Sequence, residues 1–576
     1  MPLKLADTLK TYTFDQDKAL SPEETLTRFR ARLAATGLDI LEGVRRIDRG
    51  RLGIPVYFSV CGAEARRVIG TNKQMGKGGT PAQAQASAVM ELAERFSFFS
   101  FVKERELPRA TFAELSAAGR PVLPYGAIAR SVHDTEAEGV RGLFEQLPMR
   151  WVSAVSLATG REVMLPLDWF YAINEFNGPS AGNTLEEAVS QGLCEVVERH
   201  VSALVAQGCI RTPAIDPATA AGPAARQLLE RFNACGVRVE LRDFTLGTGI
   251  PTVAAIAYDP ATFPRRSEIV FTAGTTPGPE KALIRALTEV AQLAGDFDTP
   301  TRYVASGLPK FDSLDAAAWV LDAPPEVKPL SALPDLTDPN IRVEVERCAA
   351  ALASIGLEAF AVDITHPRLG IPAVYVIVPG AHFRERTMGS VGLFAAKLVA
   401  QSADPAQALA TLTRLSAAHP GLYYLAFYRG QALLTLERPA EALGELERAL
   451  ALGPKDDDRE SVLTYCALAQ RDLGQFEAAL PLLAEALTLG ESAELHNQLG
   501  FCLFKLKRHE ESIAAFKRAV DLDPAQGINH ANIGSNLREL GRTDEAIAHY
   551  ELALAIDPSL DFARDNIKRL RASRRA

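Results

Sequence analysis

Three segments of the chain place acidic residues at helical spacing. They read SAVMELAER (87–95), QGLCEVVER (191–199) and RALTEVAQ (285–292). In each segment, polar residues stand at positions i, i+4 and i+7, which form one stripe of an α-helix with 3.6 residues per turn. One such stripe is typical of a solvated helix face, because Glu–Arg pairs stabilise exposed helices. Three copies with apolar residues on both sides favour stripes that face an interior cleft.

If the three stripes converge, their carboxylates share one cavity. The carboxylates concerned are those of Glu91, Glu94, Glu187, Glu195, Glu198 and Glu289. Six negative charges repel strongly at low dielectric, so either several are protonated or cations neutralise them. Oxygen ligands without His or Cys favour Mg²⁺, Mn²⁺ or Ca²⁺. Mg²⁺ binds few carboxylates and completes its shell with water and phosphate oxygens, so a nucleoside triphosphate is the expected co-ligand.

Basic and small residues near the stripes agree with a phosphate ligand. Lys18 precedes Thr25, and Asn183 lies in PSAGNT, where small residues let a phosphate approach the backbone. The motif GKGGT (76–80) precedes the first stripe. It is not a P-loop, because the pattern G-x4-G-K-[ST] is absent, and a tight turn is an equally good interpretation.

The elements that must position these residues lie in residues 1–400, where predicted strands and helices alternate. A hydrophobic strand, a polar turn and Gly-Ile-Pro opening another strand recur at 45–60, 241–257 and 361–378. This chemistry predicts β-hairpins, with each proline at the start of a strand. We expect repeated α/β subunits around shared sheets, with a structural role for the hairpins.

The last third of the chain is repetitive. Gly500 and Gly534 are 34 residues apart, and AVDLDP (519–524) returns as ALAIDP (553–558). This period and the small residues at packing positions resemble the tetratricopeptide repeat, although an unrelated helical array is the alternative. The predicted layout is a leading helix, four repeats and a closing helix, over residues 404–419, 421–558 and 559–574. Such solenoids usually present a concave groove to a peptide or a partner protein.

Bulk properties exclude several classes of protein. A chain of 576 residues is too long to fold around a single hydrophobic core. The predicted domains are residues 1–398 and 399–576. A net charge of −9 gives no support for nucleic-acid binding. No apolar run reaches the roughly 18–20 residues of a membrane span, and the first residues lack the apolar core of a signal peptide. Seven scattered cysteines without CxxC argue against a zinc site or disulfides and indicate a reducing cytoplasm.

With these motifs in view, the chain resembles the YcaO family over about residues 15–390. The matching features are the first stripe, the block SAGNTLEEAVSQGLCEVVERH (180–200), ALIRALTEVAQ (282–292) and GIPAVYVIVPG (370–380). The resemblance implies an α/β ATP-binding fold of its own type, followed here by an all-α repeat solenoid. It also implies ATP and Mg²⁺ as cofactors. Members phosphorylate a backbone amide oxygen of a peptide with ATP, a nucleophile attacks the amide carbon, and phosphate leaves.

The resemblance also implies residue roles. Five carboxylates would hold Mg²⁺: Glu91, Glu94, Glu195, Glu198 and Glu289. Ten residues would contact the nucleotide or its phosphates: Lys18, Thr25, Ser87, Arg95, Ser180, Asn183, Glu187, Gln191, Arg199 and Arg285. Thr25 stands where the family pattern has Ser. Because Thr also carries a hydroxyl, this difference keeps the functional group.

Two reactions fit the resemblance better than azoline formation. Azoline-forming members commonly end in Pro-x-Pro-x-Pro, whereas this sequence ends in KRLRASRRA. We therefore expect either thioamide formation with a partner protein or an accessory role in methylthiolation of a ribosomal protein. The alternative is a non-catalytic nucleotide-binding scaffold that recruits a partner through its repeats. A homodimer is expected from the resemblance.

Overall fold

A computed structural model describes most of the chain. The described residues are 3–48, 50–134, 137–174, 176–297, 311, 313–322, 324, 326–383, 389–401, 404–523, 526–557 and 559–573. Pro524 and Pro558 of the repeat motifs, and residue 574 of the expected closing helix, lie outside these ranges. The chain divides into two compact units, Met1–Val391 and Gly392–Ala576, whereas the sequence analysis places the boundary after residue 398.

Three sheets form the framework of the first unit. One has the order β1-β2-β3, one the order β11-β10-β9-β8-β12, and one the order β4-β5-β13-β14-β7 with β6 paired to β5. The described pairings are antiparallel except that β12 runs parallel to β8. The strands are β1 (Leu41–Arg46), β2 (Val56–Cys61), β3 (Lys73–Lys77), β4 (Arg109–Ala110), β5 (Met149–Ser156), β6 (Glu162–Pro166), β7 (Pro179–Ala181), β8 (Ala214–Asp216), β9 (Arg238–Asp243), β10 (Thr252–Tyr258), β11 (Val270–Thr275), β12 (Val327–Pro329), β13 (Phe360–Asp363) and β14 (Ala373–Ile377).

Helices cover these sheets. Those of the first unit are α1 (Pro22–Thr36), α2 (Ala63–Ile69), α3 (Pro81–Glu104), α4 (Phe112–Ala117), α5 (Tyr125–Arg130), α6 (Arg141–Glu145), α7 (Leu167–Asn174), α8 (Leu185–Gly208), α9 (Pro223–Ala234), α10 (Pro279–Ala294), α11 (Ala318–Leu321) and α12 (Ile341–Ser354). The three acidic segments fall on α3, α8 and α10, and all three are helical as predicted.

The three predicted hairpins are confirmed. They are the antiparallel pairs β1–β2, β9–β10 and β13–β14. The expectation that they share sheets is wrong, because each hairpin belongs to a different one of the three sheets. Each sheet instead carries one long acidic helix: α3 packs on β2 and β3, α10 on β10 and β11, and α8 on β7 and β14.

One contact recurs in all three of these strand–helix units. A hydroxyl on the strand donates to a backbone carbonyl in the N-terminal half of the helix, which fixes the helix on its sheet at close range. The three pairs are Ser59–Ala88 at 2.8 Å, Ser180–Ala188 at 2.6 Å and Thr272–Ala286 at 2.8 Å.

Local sequence sets where the acidic helices begin. Thr80 caps α3 by accepting from the backbone N–H of Gln83, and Thr184 caps α8 by accepting from that of Glu187, each at 3.2 Å. Helix α10 begins with Pro279, whose fixed φ suits a first helical residue. The GKGGT motif therefore ends in a helix cap, so the turn interpretation holds for its last residues.

The second unit is a helical array. Its helices are α13 (Val391–Ala400), α14 (Pro405–Ala418), α15 (Tyr423–Thr435), α16 (Pro439–Ala451), α17 (Asp456–Asp472), α18 (Phe476–Leu489), α19 (Ala493–Lys505), α20 (His509–Leu522), α21 (Gly527–Glu539), α22 (Thr543–Ile556) and α23 (Asp561–Ser573). The pairs from α15/α16 to α21/α22 are the four predicted repeats, and α14 and α23 are the predicted leading and closing helices. Across the described ranges, the helices are all too short or too polar to traverse a lipid bilayer.

Candidate active site

The three acidic stripes meet at one cleft in the first unit. This central cleft measures about 770 Å³ including its open mouth. Nine of the predicted site residues line it: Lys18, Thr25, Ser87, Glu91, Glu94, Asn183, Glu187, Gln191 and Arg285. A second cavity of about 590 Å³ adjoins it and shares Lys18, Glu187, Gln191 and Arg285 with it. The three helices therefore converge as expected, and of the six carboxylates expected to share the cavity Glu91, Glu94 and Glu187 line the cleft, whereas Glu195, Glu198 and Glu289 are not among its lining residues.

Glu198 and Glu289 do not line the cleft themselves, but each pairs with a cation that does, Arg285 or Lys77. Glu198 is buried, and its Oε2 accepts from Arg285 Nε at 2.8 Å and from the backbone N–H of Thr275 at 3.2 Å. The Lys77 ammonium group contacts Glu289 Oε2. Strand β3 thus supplies Lys77 to a carboxylate of α10, and α10 supplies Arg285 to a carboxylate of α8.

Glu91 and Glu94 are paired within their own helix. The guanidinium of Arg95 lies 3.3 Å from Glu91 Oε1 and 3.4 Å from Glu94 Oε1. Its Nη1 donates to the backbone carbonyl of Phe176 at 3.0 Å, and its plane lies over the ring of that residue. Arg95 therefore has a fixed position beside two predicted metal ligands.

Burial controls protonation at the base of the cleft. It raises the pKa of Glu94 well above its usual range, although the Arg95 charge opposes this rise. It also raises the pKa of Glu195, against the charges of Arg199 and Arg95. Burial and the nearby Arg285 lower the pKa of Lys77 to about 7. Cations therefore neutralise several of the clustered carboxylates, and burial shifts the pKa values of Glu94 and Glu195 towards the protonated form.

Asn183 and Glu187 join the cleft wall to the N-terminal segment. Glu187 Oε2 accepts from the backbone N–H of Asn183 at 2.8 Å and from its Nδ2 at 3.2 Å. Asn183 Nδ2 also donates to Thr25 Oγ1 at 2.9 Å, and Glu187 Oε1 accepts from the backbone N–H of Ala19. This network sets the position of the segment that carries Lys18.

Ser180 and Arg199 differ from the residues that line the cleft. Ser180 is fully buried and donates to Ala188, so its hydroxyl serves strand–helix packing and is not brought to the cleft. Arg199 follows Glu198 on α8, and its Nε is buried without a hydrogen-bond partner. Because a buried donor without a partner is costly, Arg199 is prepared for an acceptor such as a phosphate oxygen.

The residues present suit a magnesium nucleotide. The donor set is made of carboxylates, which are hard oxygen ligands, and the unpartnered Arg199 Nε offers a site for an anion. Within the part of the chain that the structure describes, no group of three or more His, Cys, Asp or Glu side chains is arranged to hold a metal ion. The reason is visible in the ion pairs: Glu91, Glu94, Glu198 and Glu289 each face Arg95, Arg285 or Lys77.

The sequence analysis missed Lys77. It considered GKGGT only as a phosphate loop or a turn, whereas the structure places the lysine of this motif at the cleft. The available signal was the position of Lys77 at the end of a strand that leads directly into α3. A charged residue at the end of that strand is brought close to the first acidic stripe on α3.

Comparison with known proteins agrees with this site. The family model described as YcaO cyclodehydratase, ATP- and Mg²⁺-binding, matches residues 75–382. Tetratricopeptide-repeat models match residues 395–457 and 491–559. The chain therefore belongs to the YcaO family and carries C-terminal tetratricopeptide repeats. The predicted fold class and the predicted cofactors, ATP and Mg²⁺, are confirmed.

Individual relatives match about two thirds of the chain. An uncharacterized protein of Methanothermobacter thermautotrophicus is 31% identical over 384 residues, covering 63% of this chain and 94% of that protein. The ribosomal protein S12 methylthiotransferase accessory factor YcaO of Escherichia coli is 26% identical, covering 64% of this chain and 66% of that protein. The structure of YcaO from Methanopyrus kandleri bound with AMPPCP and Mg²⁺ is 27% identical with a TM-score of 0.51, covering 67% of this chain and 98% of that one.

Proposed function

We propose that the chain is an ATP- and Mg²⁺-dependent enzyme that phosphorylates a backbone amide oxygen of a peptide or protein. A nucleophile then attacks the activated amide carbon, and phosphate leaves. The observation that carries this proposal is the convergence of residues from three acidic stripes on one cleft, which two carboxylates of α3 and Arg285 of α10 line together. Bound Mg²⁺ would neutralise negative charge on the phosphoryl group as it transfers.

The chain's own residues have distinct proposed roles. The five carboxylates that would hold Mg²⁺ are Glu91, Glu94, Glu195, Glu198 and Glu289. Arg285 and Arg199 would bind phosphate oxygens, since one now holds a carboxylate and the other has an unpartnered Nε. Asn183 and Glu187 would orient the nucleotide through the network that already positions the N-terminal segment.

Two finer reactions remain proposals: thioamide formation with a partner, and an accessory role in methylthiolation of a ribosomal protein. The name of the Escherichia coli relative favours the accessory role. The repeats would recruit the peptide or protein partner, because such arrays usually present an extended binding surface. Mass spectrometry of peptides incubated with the chain and candidate sulfur donors separates the reactions by which amide is altered and how.

Removal of single carboxylate charges tests the proposal. Glu195→Gln and Glu198→Gln should abolish ATP hydrolysis stimulated by a peptide mixture and leave the fold intact. Glu104→Gln, at the exposed end of α3, is the matched control and should hydrolyse ATP as the unaltered chain does. Undiminished hydrolysis in both cleft variants would contradict the proposal. Tight binding of ATP by calorimetry without turnover on any peptide would favour the scaffold instead.

We also propose a homodimer, as expected from the family. Light scattering of the full chain measures this directly. A mass equal to one chain across the working concentration range would contradict it.

A further inference from the structure

The GKGG part of the GKGGT motif is packed so tightly that Lys77 has little freedom. A Cβ atom on Gly76 would overlap the backbone nitrogen of Ala88, and one on Gly78 would lie 2.5 Å from Gln83 Cγ. Both neighbours belong to α3, so the backbone on each side of Lys77 is pressed against that helix. Because side chains alternate along a strand, Lys77 points away from the face on which Gly76 meets α3, and it lines the cleft and contacts Glu289.

The far end of the motif is fixed as well. The backbone N–H of Gly79 donates to Asp15 Oδ2 at 3.1 Å, which ties the motif to the N-terminal segment beside Lys18. Lys77 thus projects from a backbone held on two sides. Such a support positions a charged group more accurately than a free loop does.

The Lys77 ammonium group is located among the predicted metal ligands. It contacts Glu289 Oε2, and its side chain is only 17% exposed. Glu91 and Glu198 are close enough to favour its charged form, and Arg285 is close enough to oppose it. A cation in this position does for Glu289 what Arg285 does for Glu198, since each neutralises a carboxylate on a neighbouring element.

We infer that Lys77 is the counter-cation of the magnesium site: it holds Glu289 in the nucleotide-free chain and binds a phosphate oxygen once Mg²⁺ takes that carboxylate. The inference rests on nucleotide and Mg²⁺ binding, which the proposed function also requires, but not on amide phosphorylation. Charge pairing would be kept in both states: Glu289 would pair with Lys77 or with Mg²⁺, and Lys77 would pair with Glu289 or with a phosphate oxygen.

Binding measurements on the full chain test this role. Mn²⁺, followed by electron paramagnetic resonance, serves as the metal probe, and AMPPCP with Mg²⁺, followed by calorimetry, serves as the nucleotide probe. Lys77→Met should bind AMPPCP about tenfold or more weakly, since a charge-assisted hydrogen bond is lost. The same variant should bind Mn²⁺ more tightly without nucleotide, because the competing cation at Glu289 is gone.

Two further variants separate a phosphate contact from a structural ion pair. Lys77→Arg keeps a cation at the same place and should keep AMPPCP affinity within about threefold. Lys73→Met, on the same face of β3 but exposed, should leave both affinities unchanged. If Lys77→Met does not fold, Lys77→Gln replaces it with the same expectations.

The result that overturns the inference is equal AMPPCP affinity in the Lys77→Met variant and the unaltered chain. Weaker Mn²⁺ binding in that variant would also overturn it, because the lysine would then support the carboxylates instead of competing for one. Both readouts are equilibrium affinities. The AMPPCP and Mn²⁺ affinities can therefore be measured even if no peptide is turned over, so failure of the proposed amide chemistry is distinguishable from failure of this inference.

Discussion

Arg285 Nε donates to Glu198 Oε2 at 2.8 Å, and this bond joins α10 to α8 beside the central cleft. Both side chains are largely buried, so each neutralises a charge that is poorly solvated. The two residues come from different acidic stripes, on helices that pack against different sheets. Their hydrogen bond therefore shows directly that the second and third acidic stripes lie next to each other.

Arg285→Met should destabilise the first unit by about 3 kcal/mol, because it leaves Glu198 buried without its cation. The double variant Arg285→Met with Glu198→Gln should recover part of this loss. Urea denaturation followed by tryptophan fluorescence measures the effect, since all three tryptophans of the chain lie within Met1–Val391. Equal stability of the single variant and the unaltered chain would show that water reaches Glu198.

The fold was predictable where periodicity is strong. The 34-residue repeat determined the helix pairs of the second unit, and the Gly-Ile-Pro strand openings determined the three hairpins. The assignment of hairpins to sheets was not predictable, because strand order depends on long-range pairing. Residues as distant in sequence as Ala181 and Ala373 are partners in one sheet, and local turn chemistry carries no information on such pairs.

The site was predictable to a similar degree. Glu91 and Glu94 of the first stripe, Gln191 of the second and Arg285 of the third reach the cleft, because the i, i+4, i+7 spacing places the polar residues of each segment on one face of its helix. Lys77 was missed because a single lysine at a strand end has no period. Ser180 was assigned to the nucleotide because it belongs to the block 180–200 that carries the family resemblance, whereas its position on β7 directs its hydroxyl to α8.

Because Ser180 is buried away from the cleft, substitution of Ser180 and of Asn183 should affect different properties, stability and nucleotide affinity respectively. Ser180→Ala should lower stability by about 1 kcal/mol, the typical net contribution of one hydrogen bond, and leave nucleotide affinity unchanged. Asn183→Ala should lower AMPPCP affinity, because Asn183 links Thr25 to Glu187 at the cleft wall. Calorimetry with AMPPCP and urea denaturation of both variants check this. A loss of affinity in Ser180→Ala with unchanged stability would restore Ser180 as a nucleotide contact.

Two glycines in the first repeat should respond oppositely to the same substitution. A Cβ atom on Gly430 would lie 2.6 Å from Leu446 Cγ, in the packed contact between α15 and α16. Gly430→Ala should therefore destabilise the repeat by about 1–3 kcal/mol through overpacking. Gly444 is exposed in α16 with open space around it, so Gly444→Ala should stabilise by about 0.5–1 kcal/mol. Hydrogen exchange of α15 and α16 in the full chain reports both, and effects of the same sign would contradict the packing argument.

The fourth repeat should lose stability in acid. His530 Nδ1 and His549 Nδ1 lie 3.2 Å apart, so one ring must donate and the other accept. Burial lowers the pKa of both, and for His549 the charges of His530 and Lys517 lower it further while Glu545 opposes them. The folded pKa values lie below the unfolded value of 6.5, so the unfolded chain binds more protons as pH falls through that value.

The free energy of unfolding of this repeat should therefore decrease between about pH 7 and pH 5. The double variant His530→Gln with His549→Gln removes both titrating rings and should flatten this dependence. Hydrogen exchange of α21 and α22 at several pH values, corrected for intrinsic exchange rates, measures the slope in each case. Identical slopes in the variant and the unaltered chain would assign the acid sensitivity to other groups, because the two rings are the charges that this substitution removes.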